Sequence, residues 1–143
     1  METIEVVLRE GGILPSYQTE HAAGMDLHIT EGITIAPMER VLVDTKLNVA
    51  VPHGFEGQIR PRSGTSWKYG ITVLNSPGTL DSDYRGPLKI MLINLSDITH
   101  SFEAGERVAQ MVITPVERVK IEAVLVLDST ARGDGGFGSS GRF

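Results

Sequence analysis

Glycine and proline interrupt this chain so often that long helices have no room to form. Its 143 residues include 16 glycines and 7 prolines, set between short runs rich in valine, isoleucine and threonine. Gly and Pro punctuate elements, and β-branched side chains suit a pleated, half-buried surface, so the spacing predicts an all-β fold. Strands are expected at residues 3–8, 25–29, 33–36, 40–43, 47–51, 57–60, 71–74, 88–95, 100–102, 107–114 and 120–127. In Leu47-Asn-Val-Ala-Val51 the larger apolar residues alternate, which puts them on one face of a sheet. The run Leu88-Lys-Ile-Met-Leu-Ile-Asn-Leu95 is apolar on both faces, as in a central strand covered on both sides. Residues 63–70 alone read as helical, one or two turns with Ser63 as cap and Gly70 as stop. The expected architecture is a jelly-roll-like distorted barrel or sandwich with one short helix. It comprises a single domain over residues 1–130 and a glycine-rich C-terminal segment over 131–143.

Charge and cysteine content narrow the chemistry. With 13 Lys and Arg against 18 Asp and Glu, the net charge is −5, which disfavours nucleic acid and anionic membrane as partners. There is no cysteine, so thiolate zinc sites, disulfides and cysteine nucleophiles are excluded. The N-terminus lacks the basic and apolar regions of a signal peptide, and no apolar run approaches the ~20 residues of a membrane span. A cytoplasmic protein is expected, in the host cytoplasm if the source is viral. The histidines at 21, 28, 53 and 100 show no metal-ligand spacing. A metal would therefore be held by carboxylates and substrate phosphates, which favours Mg²⁺.

Three segments admit a functional reading beside a plain one. Asn75-Ser-Pro-Gly-Thr-Leu-Asp-Ser-Asp-Tyr-Arg-Gly86 is either a solvated loop or a site where two carboxylates meet an aromatic ring and a cation. Arg60-Pro-Arg-Ser-Gly-Thr-Ser-Trp-Lys-Tyr-Gly70 gathers three cations at the start of the expected helical turn. It is either an ordinary helix start or an anion-binding one. Ala131-Arg-Gly-Asp-Gly-Gly-Phe-Gly-Ser-Ser-Gly-Arg-Phe143 is either a frayed end or a flexible arm whose arginines and phenylalanines clamp an anion and stack on a ring. The Gly133-x-Gly135-x-x-Gly138 match within it is not a dinucleotide fingerprint, because no helix or later acidic residue follows.

In order along the chain, these segments resemble the motifs of the trimeric dUTPase family. The five are Ala23-Gly-Met-Asp-Leu27, Pro61-Arg-Ser-Gly64 with Lys68 and Gly70, Asn75 to Gly86, Gly105-Glu-Arg-Val-Ala-Gln110, and Arg132-Gly-Asp-Gly-Gly-Phe-Gly-Ser-Ser-Gly141. The resemblance implies hydrolysis of dUTP to dUMP and pyrophosphate, which limits uracil incorporation into DNA and supplies dUMP for thymidylate synthesis. It implies a homotrimer whose active sites are shared between subunits. The rivals are a dCTP deaminase of the same fold and a regulatory jelly roll that retains a nucleotide pocket.

The resemblance also implies roles for individual residues. Asp81 would activate the attacking water. Tyr84 would pack under the deoxyribose, and backbone groups around Asn75, Gly78 and Leu80 would read the uracil edge. Arg62, Ser63, Gly64 and Gln110 would hold phosphate oxygens. From the arm, Arg132 would meet the γ-phosphate and Phe137 would cover the base, with Gly138, Ser139 and Ser140 closing on the substrate. Asp26 would bind waters of a Mg²⁺ carried mainly by the phosphates. The chain departs from the family at Thr65-Ser66, where Leu-Ala is usual, and at Ser140, where Thr is usual.

Overall fold

The computed structural model describes residues 2–141. The described residues form ten strands and one short helix. The strands are β1 (Glu5–Leu8), β2 (Met25–His28), β3 (Ile33–Ile35), β4 (Arg40–Ala50) and β5 (Phe55–Pro61), followed by helix α1 (Ser63–Tyr69). Then come β6 (Ile71–Val73), β7 (Gly78–Leu80), β8 (Pro87–Asn94), β9 (His100–Phe102) and β10 (Arg107–Pro115). Two four-stranded antiparallel sheets, ordered β1-β4-β8-β6 and β2-β10-β5-β7, are accompanied by a β3-β9 pair. This is a jelly-roll-like β fold with one short helix, as the sequence predicts. None of the helices among the described residues is long and apolar enough to cross a membrane.

The core follows from strand alternation. Along β4, Val43, Thr45, Leu47 and Val49 are buried in turn, and along β8 Leu88, Ile90, Leu92 and Asn94 are. The apolar ones among them join Leu27, Ile29, Ile71, Val108 and Met111 in one cluster, while Thr45 and Asn94 are buried polar residues. Fully burying an aliphatic side chain of this kind contributes about 1.5–3 kcal/mol relative to leaving it exposed. The other face of β8 is only partly covered, with Lys89 exposed and Met91 and Ile93 half-buried. The expectation of a strand buried on both faces is therefore met on one face of this chain.

Four local expectations need correction. The strands expected at 40–43 and 47–51 are one strand, because Asp-Thr-Lys at 44–46 passes through a register shift instead of ending it. There Lys46 takes a left-handed φ of 61°, and Thr45 Oγ1 donates to the Leu88 carbonyl at 2.7 Å. The Lys46 amide donates to Asp44, whose carboxylate is forked by Arg9, the residue that follows β1. Second, Ser63 is the first residue of α1 and not its cap. Arg62 occupies the cap position without a side-chain bond, while Gly70 ends the helix at φ 65° as expected. Third, the segment 75–86, given no strand above, contains one: Gly78–Leu80 form β7, which pairs with β5 and lies in a different sheet from β6. Fourth, residues 120–127 form no strand. Val119, Ile121, Val124, Leu125, Val126 and Leu127 are exposed. An apolar strand needs a neighbour to pair with and a face to cover, and the single chain gives this run neither.

Residues 116–141 contain turns but no strand or helix. Arg142 and Phe143, the end of the expected arm, lie outside the described residues.

The Arg9 hydrogen bonds hold Asp44 at a pKa of about 2, against an ordinary 3.8, with burial opposing and the Lys46 amide assisting. A depressed carboxylate pKa stabilises the fold above the ordinary value, and that contribution is lost as pH falls toward the folded value. Asp44→Asn should thus lower the melting temperature at pH 7 and flatten its decline between about pH 4 and 2. Thermal melts across that range check this; an unchanged acid limb contradicts it.

Candidate active site

Asp26 organises the first group of site residues. It lies on β2, only 7% exposed, and a buried carboxylate needs positive partners. Arg62 Nε donates to Oδ1 at 3.0 Å, and Arg107 Nη1 donates to Oδ2 at 2.9 Å. Arg62 also donates through Nη1 to the Arg107 carbonyl at 3.1 Å. One carboxylate thereby joins β2, the end of β5 and the start of β10. Removing either arginine leaves one oxygen of the buried carboxylate without its charged partner. Neighbouring His28 has its pKa lowered by burial, with Asp26 opposing and Arg107 and Arg62 adding to the shift.

This pinned corner opens on a cleft of about 320 Å³ lined by Asp26, Arg62, Ser63, Gly64 and Gln110, together with Gln18 and residues 22–24. Gln110 lies opposite Arg60 on the neighbouring strand, and its side chain donates to the Pro61 carbonyl at 3.0 Å. The start of α1 leaves the amides of Ser63 and Gly64 without intrahelical acceptors. Unbonded amides beside arginines favour an anion. Arg107 was not singled out from the sequence; the signal for it is a lone aspartate inside an apolar strand, which demands a counter-charge.

A second cleft, of about 370 Å³, lies where the two sheets part beside β7. Asn75, Gly78, Leu80, Asp81 and Tyr84 line it, with Ile59 from β5 and Val73, Ile90 and Met91 from the opposite sheet. The connection from β6 to β7 passes through a cis Ser76–Pro77 bond. Tyr84 donates its hydroxyl to the Pro87 carbonyl at 3.1 Å. The ring crosses Gly86 so closely that a Cβ there would strike it, so any larger residue at that position would displace the ring. The floor is apolar and the rim carries a carboxylate and backbone groups, a composition suited to a flat heterocycle.

The two clefts share no lining residue. The arm joins neither. Arg132 donates through Nε to the Gly135 carbonyl at 2.8 Å, and Ser139 and Gly141 close turns onto Gly136 and Gly138. Phe137 is fully exposed at φ 51°, and Ser140 is exposed as well. The single chain brings the sequence-derived residues into two groups and leaves a third apart.

No group of three or more His, Cys, Asp or Glu side chains able to hold a metal exists among the described residues. Asp26 is the carboxylate of the arginine-lined cleft, and each of its oxygens accepts one arginine bond while keeping a lone pair. This donor set fits a cation that arrives on a polyphosphate and keeps its waters, and does not fit a protein-built cage.

Comparison with known proteins gives one family. The dUTPase family model matches residues 10–141. A deoxyuridine 5'-triphosphate nucleotidohydrolase of Fusobacterium nucleatum is 50% identical over 141 residues, covering 97% of each chain. One from Hydrogenobaculum is 52% identical over 142 residues, covering 99% of each. Among solved structures, a mutant dUTPase of Staphylococcus bacteriophage 80alpha with dUpNHpp matches at a TM-score of 0.91 and 27% identity, over 99% of this chain and 100% of that one. The chain therefore belongs to the dUTPase family, the enzymes that hydrolyse dUTP.

Proposed function

We propose that this dUTPase releases dUMP and pyrophosphate by attack of an Asp81-activated water on the α-phosphate, in sites shared between the subunits of a homotrimer. The observation that carries the reading is the division of the candidate residues into two separate clefts and a detached arm. Each has part of the chemistry: a base-sized cleft with a carboxylate, a cationic cleft for phosphates, and an arm with a ring and a cation. Assembly of three copies gives these parts a way to meet. It also covers the exposed apolar run at 119–127 and the half-covered face of β8.

In the proposed site, main-chain groups around Asn75, Gly78 and Leu80 take the uracil edge, and Tyr84 lies against the deoxyribose where a 2′-OH would need space. Arg62, the Ser63 and Gly64 amides, and Gln110 bind phosphate oxygens and orient the chain for in-line attack. Asp81 accepts the proton of the attacking water; water is a weak nucleophile, and a positioned carboxylate base accelerates such steps by roughly 10²–10⁴. Much of the remaining acceleration comes from positioning and charge neutralisation along the triphosphate. Asp26 would hold a Mg²⁺ through water, and that cation, when bound, neutralises phosphate charge. From the arm, Arg132 meets the terminal phosphate, Phe137 stacks on the base, and Gly138, Ser139 and Ser140 close over the phosphates and exclude bulk water. A supply of dUMP for thymidylate synthesis and removal of dUTP ahead of DNA polymerisation are the expected consequences. Cytoplasm is the expected location.

Asp81→Asn should lower turnover by roughly 10²–10⁴ while binding of a non-hydrolysable dUTP analogue persists; near-normal turnover places the base elsewhere, with Asp83 the first alternative. UTP should be a far poorer substrate than dUTP, and comparable kcat/KM values for the two would remove Tyr84 from its role. Truncation after Ser129 should leave a folded trimer by circular dichroism and light scattering, with pyrophosphate release almost abolished. A truncated protein as active as the full chain contradicts the role given to the arm.

A further inference from the structure

The loop carrying Asp81 and Tyr84 joins β7 to β8 without a strand or helix of its own, so its backbone groups are held by other means. Part of the hold is internal. The Tyr84 amide donates to the Asp81 carbonyl at 3.1 Å, and Arg85 Nη1 donates to the carbonyls of Ser82 and Tyr84, each at 2.8 Å. These bonds fix the shape of the loop and not its place on the body.

Its place is tied to β4. Asn48 Nδ2 donates to the Arg85 carbonyl at 2.8 Å. A primary amide presents a donor and an acceptor of nearly the same shape, and its partners decide which way it faces. Here Asn48 Oδ1 accepts from Arg9 Nε at 3.0 Å, which turns the NH₂ group toward the loop. Arg9 is itself fixed, since its two terminal nitrogens fork the Asp44 carboxylate, with Nη1 to Oδ2 at 2.8 Å. Asp44 in turn accepts from the Lys46 amide at 2.9 Å, at the register shift of β4. A continuous line of hydrogen bonds thus runs from that shift through Arg9, just past β1, to the carbonyl of Arg85, four residues beyond Asp81. Asp44, Arg9 and Asn48 all lie outside the five sequence motifs.

We infer that Asn48, oriented by the Arg9–Asp44 fork, is a positioning residue for dUTP hydrolysis that sets where the loop holds Asp81 and Tyr84. The inference rests on the reading of Asp81 as base. Misplacement of a reacting group by about 1 Å is enough to cost as much as 10² in rate, so the fastening of this loop bears directly on turnover.

Asn48→Asp is the sharpest variant. It keeps the side-chain shape and the acceptor for Arg9, and it removes the donor to the Arg85 carbonyl. In the full-length protein, kcat for dUTP should fall by about tenfold or more, and by a larger factor than KM rises. Light scattering and thermal melts should show an assembled, folded protein. A purely structural role would change the melt and leave kcat at 25 °C untouched. Arg9→Lys is the second variant: it keeps a positive charge beside Asp44 but loses the Nε donor that orients Asn48, and kcat should fall in the same direction. A parent-like kcat in either variant that folds overturns the inference. An inactive Asp81→Asn control beside a fully active Asn48→Asp overturns the positioning role alone, whereas a fully active Asp81→Asn overturns the base assignment beneath it.

Discussion

A carboxylate buried on β2 and clamped by two arginines is the constraint on which the rest of this site depends. Asp26 is nearly inaccessible, and its charge is tolerable because Arg62 reaches it from the β5–α1 junction and Arg107 from β10. Satisfying that charge fixes the turn from β5 into α1, and with it the amides of Ser63 and Gly64. It also fixes the start of β10, which brings Gln110 beside the Pro61 carbonyl. A corner with cations and free amides, as the proposed phosphate site needs, is the by-product of neutralising one buried acid. The same arrangement leaves Arg62 partly exposed, so a cation that stabilises the fold is also available to a phosphate.

The sandwich then keeps the two halves of the chemistry apart. β5 pairs with β7 on one side and β10 on the other, so its two edges lead to different clefts. Ile59 lines the cleft of Asp81, and Arg62, just past the strand's end, lines the cleft of Asp26. A small β domain has no spare element to close over a triphosphate. In the proposed trimer each copy would lend the part another lacks. The exposed apolar run after β10 fits the same proposal, because such surface is costly in water and assembly of copies would cover it.

Much of the fold was legible because strand alternation and turn residues are local signals. Leu47, Val49 and Val51 alternate in sequence and are buried in the structure. What was not legible depends on partners distant in sequence. The break read at 44–46 disappears because Arg9, just past β1, and Leu88 of β8 supply bonds to Asp44 and Thr45. The run 120–127 has strand composition and no pairing partner within the single chain. Strand β7 went unassigned because Gly-Thr-Leu carries no pattern of its own and is made a strand by pairing with β5. Of the candidate residues, Asp81 and Tyr84 stand in a segment marked by its own sequence and line one cleft, and Ser63 lines the other. Arg107 and Asn48 were silent, since their importance lies in what they touch across 81 and 37 residues of sequence.

The central claim is that one active site is built from different subunits, and complementation between inactive proteins tests it most directly. Asp81→Asn protein keeps its arm and lacks the base; protein truncated after Ser129 keeps the base and lacks its arm. If base and arm come from different copies, unfolding the two together and refolding at equal amounts restores dUTP hydrolysis to about a quarter of the wild-type level, the random share of sites with both parts. Restoration requires mixing before assembly, so the two proteins combined as preformed trimers give the control. Activity that stays at the level of the separate proteins after co-refolding, with mixed trimers demonstrably formed, would contradict the shared site.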